Sequence, residues 1–374
     1  MATRVVVAMS GGVDSAVAAA LLRDAGHEVV GITMRLWPRS MAGASAQRYD
    51  RCCSPSAVDD ARQVAAHLGI PHYLFDFERE FEARVIAPFA DAYARGRTPN
   101  PCVACNQELK FGALLQRALA LEADRVATGH YARVGRDPAT GRATLRRGAD
   151  RQKDQSYFLA GLTSAQLARA LMPLGELSKA ETRRLAAAYG LRVADKPESQ
   201  EICFVPGDYR ALLMGRIPDA FRPGAIRDLS GTVVGEHRGL PLYTVGQRRG
   251  LGLGGPRPRY AVRLDAARNE LVVGEERDLH ISDFVAAGMN FLAWDGRGGE
   301  RRVLASVRYR QGPVPGRIRA LPGGRALVRL DRPVRAVTPG QAVVLYDAED
   351  AELVVGGGTI ERVLAGPGRI PPPA

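Results

Sequence analysis

Near its start the chain runs from Val5-Val6-Val7-Ala8 almost directly into Ser10-Gly11-Gly12-Val13-Asp14-Ser15, and then into an Ala/Leu-rich stretch that ends near Ala25. An apolar strand-like run, a glycine turn and a helix in immediate succession demand a strand inside a sheet whose faces are covered by helices. The turn suits an anion. Two glycines at a strand-to-helix junction let backbone N–H groups approach phosphate, and the helix N-terminus adds its partial positive charge. Ser10 and Ser15 add hydroxyl donors, while Asp14 suits Mg²⁺ or a hydrogen bond within the loop. The competing account is an ordinary tight turn with an Asp cap. The spacing is neither that of the Walker loop, which needs Gly-Lys-Ser/Thr after a longer arm, nor that of the dinucleotide fingerprint.

Strand and helix signals then alternate. Residues 29–34, 72–77 and 125–128 read as strands, and 57–68, 78–95 and 108–121 as helices. This rhythm predicts an α/β domain with a parallel, Rossmann-like sheet covered on both faces. The polar stretch 36–55 is a long loop of the kind that is disordered or functional. Ser178 followed by Glu181 is a capping box that opens a helix ending before Gly190. Beyond about residue 209 glycines and short strands take over, including a hairpin through 260–264 and 270–273. From Phe284 short alternating strands predict a small β-barrel. The expected domains are a catalytic one over 1–208, a small mixed central one over 209–283 and the barrel over 284–374, with a Pro-rich, frayed tail after Gly366.

The formal net charge of +12 points to a polyanionic partner. Lysine occurs only at 110, 153, 179 and 196, so codon bias explains Arg in place of Lys, but not an excess of bases over acids. Between Arg297 and Arg335 eleven Arg accompany only Glu300 and Asp331, a surplus of nine. Nucleic acid accounts for that concentration better than a merely solvated face. No apolar run of about 18 residues predicts a membrane span, and no charged leader with an apolar core opens the chain, so the cytoplasm is the expected location. The five cysteines, Cys52, Cys53, Cys102, Cys105 and Cys203, lack the spacing of a secreted disulfide framework. In a reducing compartment such residues bind metal or do chemistry.

The 10–15 loop resembles the loop of ATP pyrophosphatases, which cleave ATP between its α and β phosphates and adenylate a substrate oxygen. Three further blocks narrow the resemblance: Thr98-Pro99-Asn100-Pro101-Cys102-Val103-Ala104-Cys105-Asn106, then Ala127-Thr128-Gly129-His130-Tyr131-Ala132-Arg133 with Lys153-Asp154-Gln155-Ser156-Tyr157, and Lys196-Pro197-Glu198-Ser199-Gln200-Glu201-Ile202-Cys203-Phe204. Together they resemble the tRNA-specific 2-thiouridylase family. The likeness continues in order through Gly246-Gln247-Arg248-Arg249-Gly250, Arg308-Tyr309-Arg310-Gln311 and Thr338-Pro339-Gly340-Gln341.

This resemblance implies ATP- and Mg²⁺-dependent transfer of sulfur to the wobble uridine of tRNA, with AMP and pyrophosphate released. It implies that Ala8, Met9, Ser10, Gly11, Gly12, Val13, Asp14, Ser15, Met34 and Gly129 surround ATP. Asn100, Pro101 and Cys102 would lie against the target uridine, which must leave the stacked anticodon loop. His130, Lys153, Asp154, Gln155, Arg308, Tyr309 and Gln341 would meet tRNA. Without the family, Met34 reads as core and His130 as a structural or surface residue. By the family's motif Cys203 carries a persulfide and Cys105 attacks it, by thiol–disulfide exchange. The helix expected at Glu108 would favour the Cys105 thiolate by its N-terminus. A sulfur-donor protein, a cysteine desulfurase or a sulfur-relay carrier, is the implied partner besides the tRNA anticodon loop.

One departure stands out. Many relatives carry Asp where this chain has Cys102, so an acid/base role of that Asp does not transfer. Cys102, Cys105 and Cys203 are open instead to an iron–sulfur cluster with one free iron that carries the sulfur. A structural zinc lacks an evident fourth ligand, and Cys52 and Cys53 are assigned no chemistry. Two rivals remain: another ATP pyrophosphatase acting on a small carboxylate or amide, which needs neither Cys105 nor Cys203, and a non-catalytic RNA-binding module.

Overall fold

The computed structural model describes residues 3–36, 55–197 and 208–364. The chain divides into two compact units, one of Met1–Val85, Pro101–Pro206 and Glu352–Val354, the other of Ile86–Asn100, Gly207–Ala351 and Val355–Ala374.

The strands of the first unit are β1 (Arg4–Ala8), β2 (Glu28–Arg35), β3 (His72–Asp76), β4 (Arg125–Ala127), the hairpin β5 (Ala132–Arg136) and β6 (Ala143–Arg147), and the short β7 (Ala170–Leu171). Five of them form an all-parallel sheet in the order β3-β2-β1-β4-β7. The chain leaves β1 to one side for β2 and β3, and returns on the other side for β4. The carboxyl end of β1 is therefore the switch point at which open parallel sheets bind ligands. Val5, Val6 and Val7 are buried, as a central strand covered on both faces requires. Small side chains bring the Val13–Asp24 helix close: Val17, Ala19 and Ala20 share a core with Val64 and Ala65 of the Pro55–Leu68 helix. The expected capping box is present, with Ser178 Oγ accepting from Glu181 N at 3.2 Å and the Glu181 carboxylate accepting from Ser178 N at 2.7 Å.

Two helices differ from expectation. The stretch 78–95 is not one regular helix but Glu78–Phe81, a π-helical turn Glu82–Ile86 and Ala87–Ala94. Pro88 lacks the N–H that an α-helix would use there. Helical structure also begins before residue 108, at Pro101–Ala104, and continues through a π-helical stretch Cys105–Ala113 into Leu114–Ala120. Pro101 opens it at a position where no N–H is needed. Cys105 thus lies inside the helical run instead of ahead of it, and Cys102 is the cysteine in its first turn.

The second unit holds β8 (Gly224–Arg227), β9 (Val233–His237), β10 (Tyr260–Asp265) and β11 (Glu270–Gly274), paired in the order β10-β11-β8-β9. The expected hairpin is β10–β11, with a bulge between Ala261 and Arg263. The Tyr209–Arg216 helix was not foreseen; its Tyr209 ring lies 5.1 Å from Tyr93. Then β12 (His280–Phe291), β13 (Glu300–Ser306), β14 (Val314–Leu321), β15 (Arg325–Arg335), β16 (Ala342–Asp347) and β17 (Val354–Val363) close a six-stranded barrel in the order β12-β15-β14-β13-β16-β17. Phe284, Ile318, Val328, Val343 and Leu345 fill it. On the outer face, Arg302 stands opposite Arg317 and Arg317 opposite Arg329, all three exposed. Like charges directly opposite across strands cost stability. Glu300, 3.9 Å from Arg317 and 3.6 Å from Arg329, and Asp331, 3.2 Å from Arg302, offset it only in part.

Gly129, two residues beyond β4, packs on the 10–15 loop so tightly that a Cβ would fall 2.6 Å from the Asp14 carbonyl carbon and 2.7 Å from Ser15 N. Gly129→Ala is therefore expected to lower stability by about 1–3 kcal/mol, the usual cost of overpacking. Gly215, whose Cβ would meet nothing within 4 Å, should tolerate Ala with no loss. Urea unfolding of both variants checks the contrast.

Candidate active site

The loop at the end of β1 is laced to itself. Ser15 Oγ accepts from Ser10 N at 3.2 Å, donates to the Gly12 carbonyl at 3.1 Å and lies 3.3 Å from Ser10 Oγ. Gly11 has φ +70° and a Cβ there would sit 2.1 Å from the Ala57 carbonyl oxygen, so only glycine fits on both counts. Met9 and Val13 turn their side chains into the core, which leaves them backbone groups to offer a nucleotide. Met34 is also buried, in register with Phe75 of β3. Ala8 closes β1 beside them.

Asp14 is the best-connected side chain of the loop. Its Oδ1 accepts from the Tyr131 hydroxyl at 2.8 Å and from the Lys179 ammonium at 2.7 Å. The Tyr131 hydroxyl lies 2.9 Å from Thr182 Oγ1, which in turn donates to the Ser178 carbonyl. Asp14 thus makes hydrogen bonds of the kind expected of it, though to partners outside the loop. These bonds fall on Oδ1, where a direct bond to Mg²⁺ would compete with the Lys179 ammonium.

The second cluster lies on the helical run after Pro101. Of its two cysteines, Cys105 is buried and Cys102 partly so. Burial pushes the Cys102 thiol up, and the nearby Lys110 charge opposes this only in part. Cys102 is therefore a neutral thiol at pH 7. His130 is buried with Nδ1 2.7 Å from Thr128 Oγ1 and its ring 6.4 Å from Phe111. Burial, with the same Lys110 charge, holds its pKa well below the ordinary histidine value. Lys110 thus brings Cys102 and His130 into one electrostatic neighbourhood. Asn106 next to Cys105 is 3% exposed; its Nδ2 donates to the Phe158 carbonyl at 3.1 Å, while no described residue satisfies its Oδ1. Cys203, Cys52 and Cys53 lie outside the described residues, and with Cys203 the third proposed cluster ligand.

A family model described as the tRNA methyl transferase HUP domain matches residues 3–207. The tRNA methyl transferase PRC-barrel domain matches 211–275, and the aminomethyltransferase beta-barrel domain 282–360. A protein of Moorella thermoacetica named tRNA-specific 2-thiouridylase MnmA is 51% identical over 358 residues, covering 96% of this chain and 99% of the relative. Relatives of the same name from Chloroflexus aggregans and Symbiobacterium thermophilum are 52% identical over 359 residues and 49% over 367, covering 96% and 97% of this chain and 98% and 93% of theirs. The chain belongs to the tRNA-specific 2-thiouridylase family.

Several residues expected at tRNA in a thiouridylase have their side chains engaged within the protein. Asp154 is buried, accepts from Arg147 Nε at 2.7 Å and from the backbone N–H groups of Gly148 and Ser156. Gln155 Oε1 accepts from Tyr131 N at 3.0 Å. Both shape the loop that presents Lys153. Arg308 Nη2 faces the Val245 and Ala336 carbonyls and Thr338 Oγ1, at 3.4, 3.0 and 3.1 Å, so it clamps the turn before Gln341. Tyr309 beside it carries the Arg310 guanidinium 5.6 Å from its ring centre. Gly340 follows in that turn; Thr98 N donates to the Pro339 carbonyl at 2.9 Å, so the segment leading to Asn100 docks on the turn that carries Gln341. Sequence reasoning missed the roles of Lys179, Thr182 and Asn106. The scarcity of lysine was the available signal for Lys179.

The buried His130 makes a pH-dependent contribution of defined sign. Its folded pKa lies below the unfolded value of about 6.5, so the unfolded chain takes up a proton first as pH falls. Stability should drop below about pH 6.5 by up to about 1.4 kcal/mol per pH unit from this group. His130→Asn should show a flatter fall between pH 7 and 5 in urea titrations. An unchanged slope would show that the imidazole is not buried in its neutral form.

Proposed function

We propose that the chain catalyses ATP-dependent 2-thiolation of the wobble uridine of tRNA. The observation that carries this reading is that one unit holds both the phosphate loop at its sheet's switch point and the Cys102–Cys105 turn. The PRC-barrel and β-barrel matches, the basic barrel and the family relatives support RNA as the substrate. Oxide is a poor leaving group, so the uracil O2 attacks the α-phosphate of ATP, pyrophosphate departs, and AMP then becomes the group to be displaced. The terminal sulfur of a persulfide on Cys203 attacks C2 and AMP leaves. The Cys105 thiolate then attacks the Cys203 sulfur, which frees the thiocarbonyl and leaves a Cys105–Cys203 disulfide for an external thiol to reduce. Mg²⁺ would accompany the phosphates of ATP.

Within this proposal the neutral Cys102 thiol replaces a carboxylate without supplying charge, and the unsatisfied Asn106 Oδ1 suits the N3–H of uracil. Residues 1–208 would serve as the catalytic domain, 209–283 as the central domain and 284–374 as the barrel, working in the cytoplasm with a cysteine desulfurase or sulfur-relay carrier as donor. Among the described residues no helix is long and apolar enough to cross a membrane.

Incubation with tRNA, ATP, and a cysteine desulfurase with free cysteine as the source of persulfide sulfur, followed by nucleoside analysis, should yield 2-thiouridine, and Cys105→Ser should reduce it to background with tRNA binding retained. Undiminished thiolation by that variant would refute the assignment of Cys105. The Arg302–Arg317–Arg329 row is proposed to face the phosphate backbone. Replacing all three by Gln should flatten the salt dependence of tRNA affinity by about 0.9 per lost phosphate contact, while the barrel, relieved of like-charge neighbours, unfolds no more easily. An unaltered salt slope would mean that the row faces solvent.

A further inference from the structure

The 10–15 loop contains no basic residue, yet breaking ATP between its α and β phosphates leaves a highly charged pyrophosphate there. Lys179 brings a cation onto that loop. Its Nζ is 2.7 Å from Asp14 Oδ1, and its side chain is only 12% exposed. The placement is built, not incidental. Lys179 is the first residue of the Lys179–Ala188 helix, within the Ser178–Glu181 capping box. Its backbone N–H donates to Asp150 Oδ2 at 3.0 Å, and its Nζ lies 5.7 Å from the centre of the Tyr131 ring. The same Tyr131 hydroxyl bonds Asp14, so one carboxylate gathers both groups.

A half-buried ion pair adds little to stability, because desolvation consumes most of its Coulombic gain. At the mouth of a phosphate loop the same pair makes chemical sense. A cation held in place before the nucleotide arrives needs no reorganisation when charge develops on the leaving group. Lysine, as a compact point charge, suits the several oxygens of a pyrophosphate better than a planar fork does.

We propose that Lys179 is a catalytic residue of the adenylation step, its ammonium neutralising pyrophosphate as it departs, with Asp14 and Tyr131 as the tether that holds it ready. This rests on the thiolation reading above. In the step, a lone pair on uracil O2 forms the bond to the α-phosphorus and the bond from that phosphorus to the bridging oxygen breaks. The electron pair leaves on pyrophosphate, the N3 proton passes to water, and Lys179 stays protonated throughout.

The test uses the full chain and two probes, inorganic pyrophosphate and AMP, with binding of each measured by calorimetry. Lys179→Gln should weaken pyrophosphate by about tenfold or more, the usual scale for a lost charged hydrogen bond, while AMP changes less than about twofold; Lys179→Arg should recover part of the loss. Equal losses for both probes, or none for pyrophosphate, would overturn the proposal. Should the Gln variant fail to fold, the unaltered protein decides: trace acylation read by mass spectrometry should show Lys179 protected by pyrophosphate and not by AMP. Equal labelling under the two conditions would count against it. The two readings fail separately. Pyrophosphate held through Lys179 in a protein that forms no 2-thiouridine refutes the thiolation reading alone, and full thiolation by Lys179→Gln refutes this inference alone.

Discussion

The Asp14 carboxylate is held from two sides, by the Tyr131 hydroxyl arriving after β4 and by the Lys179 ammonium at the head of a capped helix. From a third side the backbone of Gly129 lies against the Asp14–Ser15 peptide with no room for a side chain. Two segments remote in sequence thus converge on one turn of backbone. Because the turn sits at the carboxyl end of a central strand buried on both faces, it cannot shift without disturbing the sheet. The fold itself braces the loop on both sides, which is what electrostatic preorganisation requires.

The thiol region follows a different electrostatic logic. Lys110 acts on Cys102 and His130 together, yet burial outweighs it for Cys102 and acts with it on His130. The result is a neutral thiol and a neutral imidazole near one ammonium, a setting low in negative charge. Such surroundings receive an electron-rich base and its phosphates without repulsion. The π-helical stretch that begins at Cys105 contributes by its i→i+5 bonding, which makes this turn broader than a regular helical turn.

Arginine serves opposite ends in the second unit. Arg308 folds its guanidinium onto carbonyls and a hydroxyl and stiffens the turn before Gln341. Arg302, Arg317 and Arg329 stand side by side on the barrel surface, where cross-strand register forces them together at a cost in stability. Counting charges along the chain treats all of these alike. Only strand register separates the clamp from the exposed row.

The parallel sheet, the loop at its switch point, the capped helix at Ser178 and the barrel were legible in the residues themselves, because strand runs, glycine turns, capping boxes and alternation are local patterns. Helix starts were less so: Pro101 and Pro88 redirect hydrogen bonding in ways that apolar spacing does not report. The candidate site was legible as motifs, and motif membership did not say which way a side chain points. Asp154 and Gln155 stand in the same motif as Lys153, yet their side chains serve the loop's own framework. Lys179, outside every block of the family resemblance, reaches Asp14. By itself the sequence determined which elements form and which residue types are available for phosphate and sulfur chemistry. The tertiary structure alone decided which of them meet, because partners separated by 117 or 165 positions are brought together by sheet order and helix packing, and no local pattern encodes that.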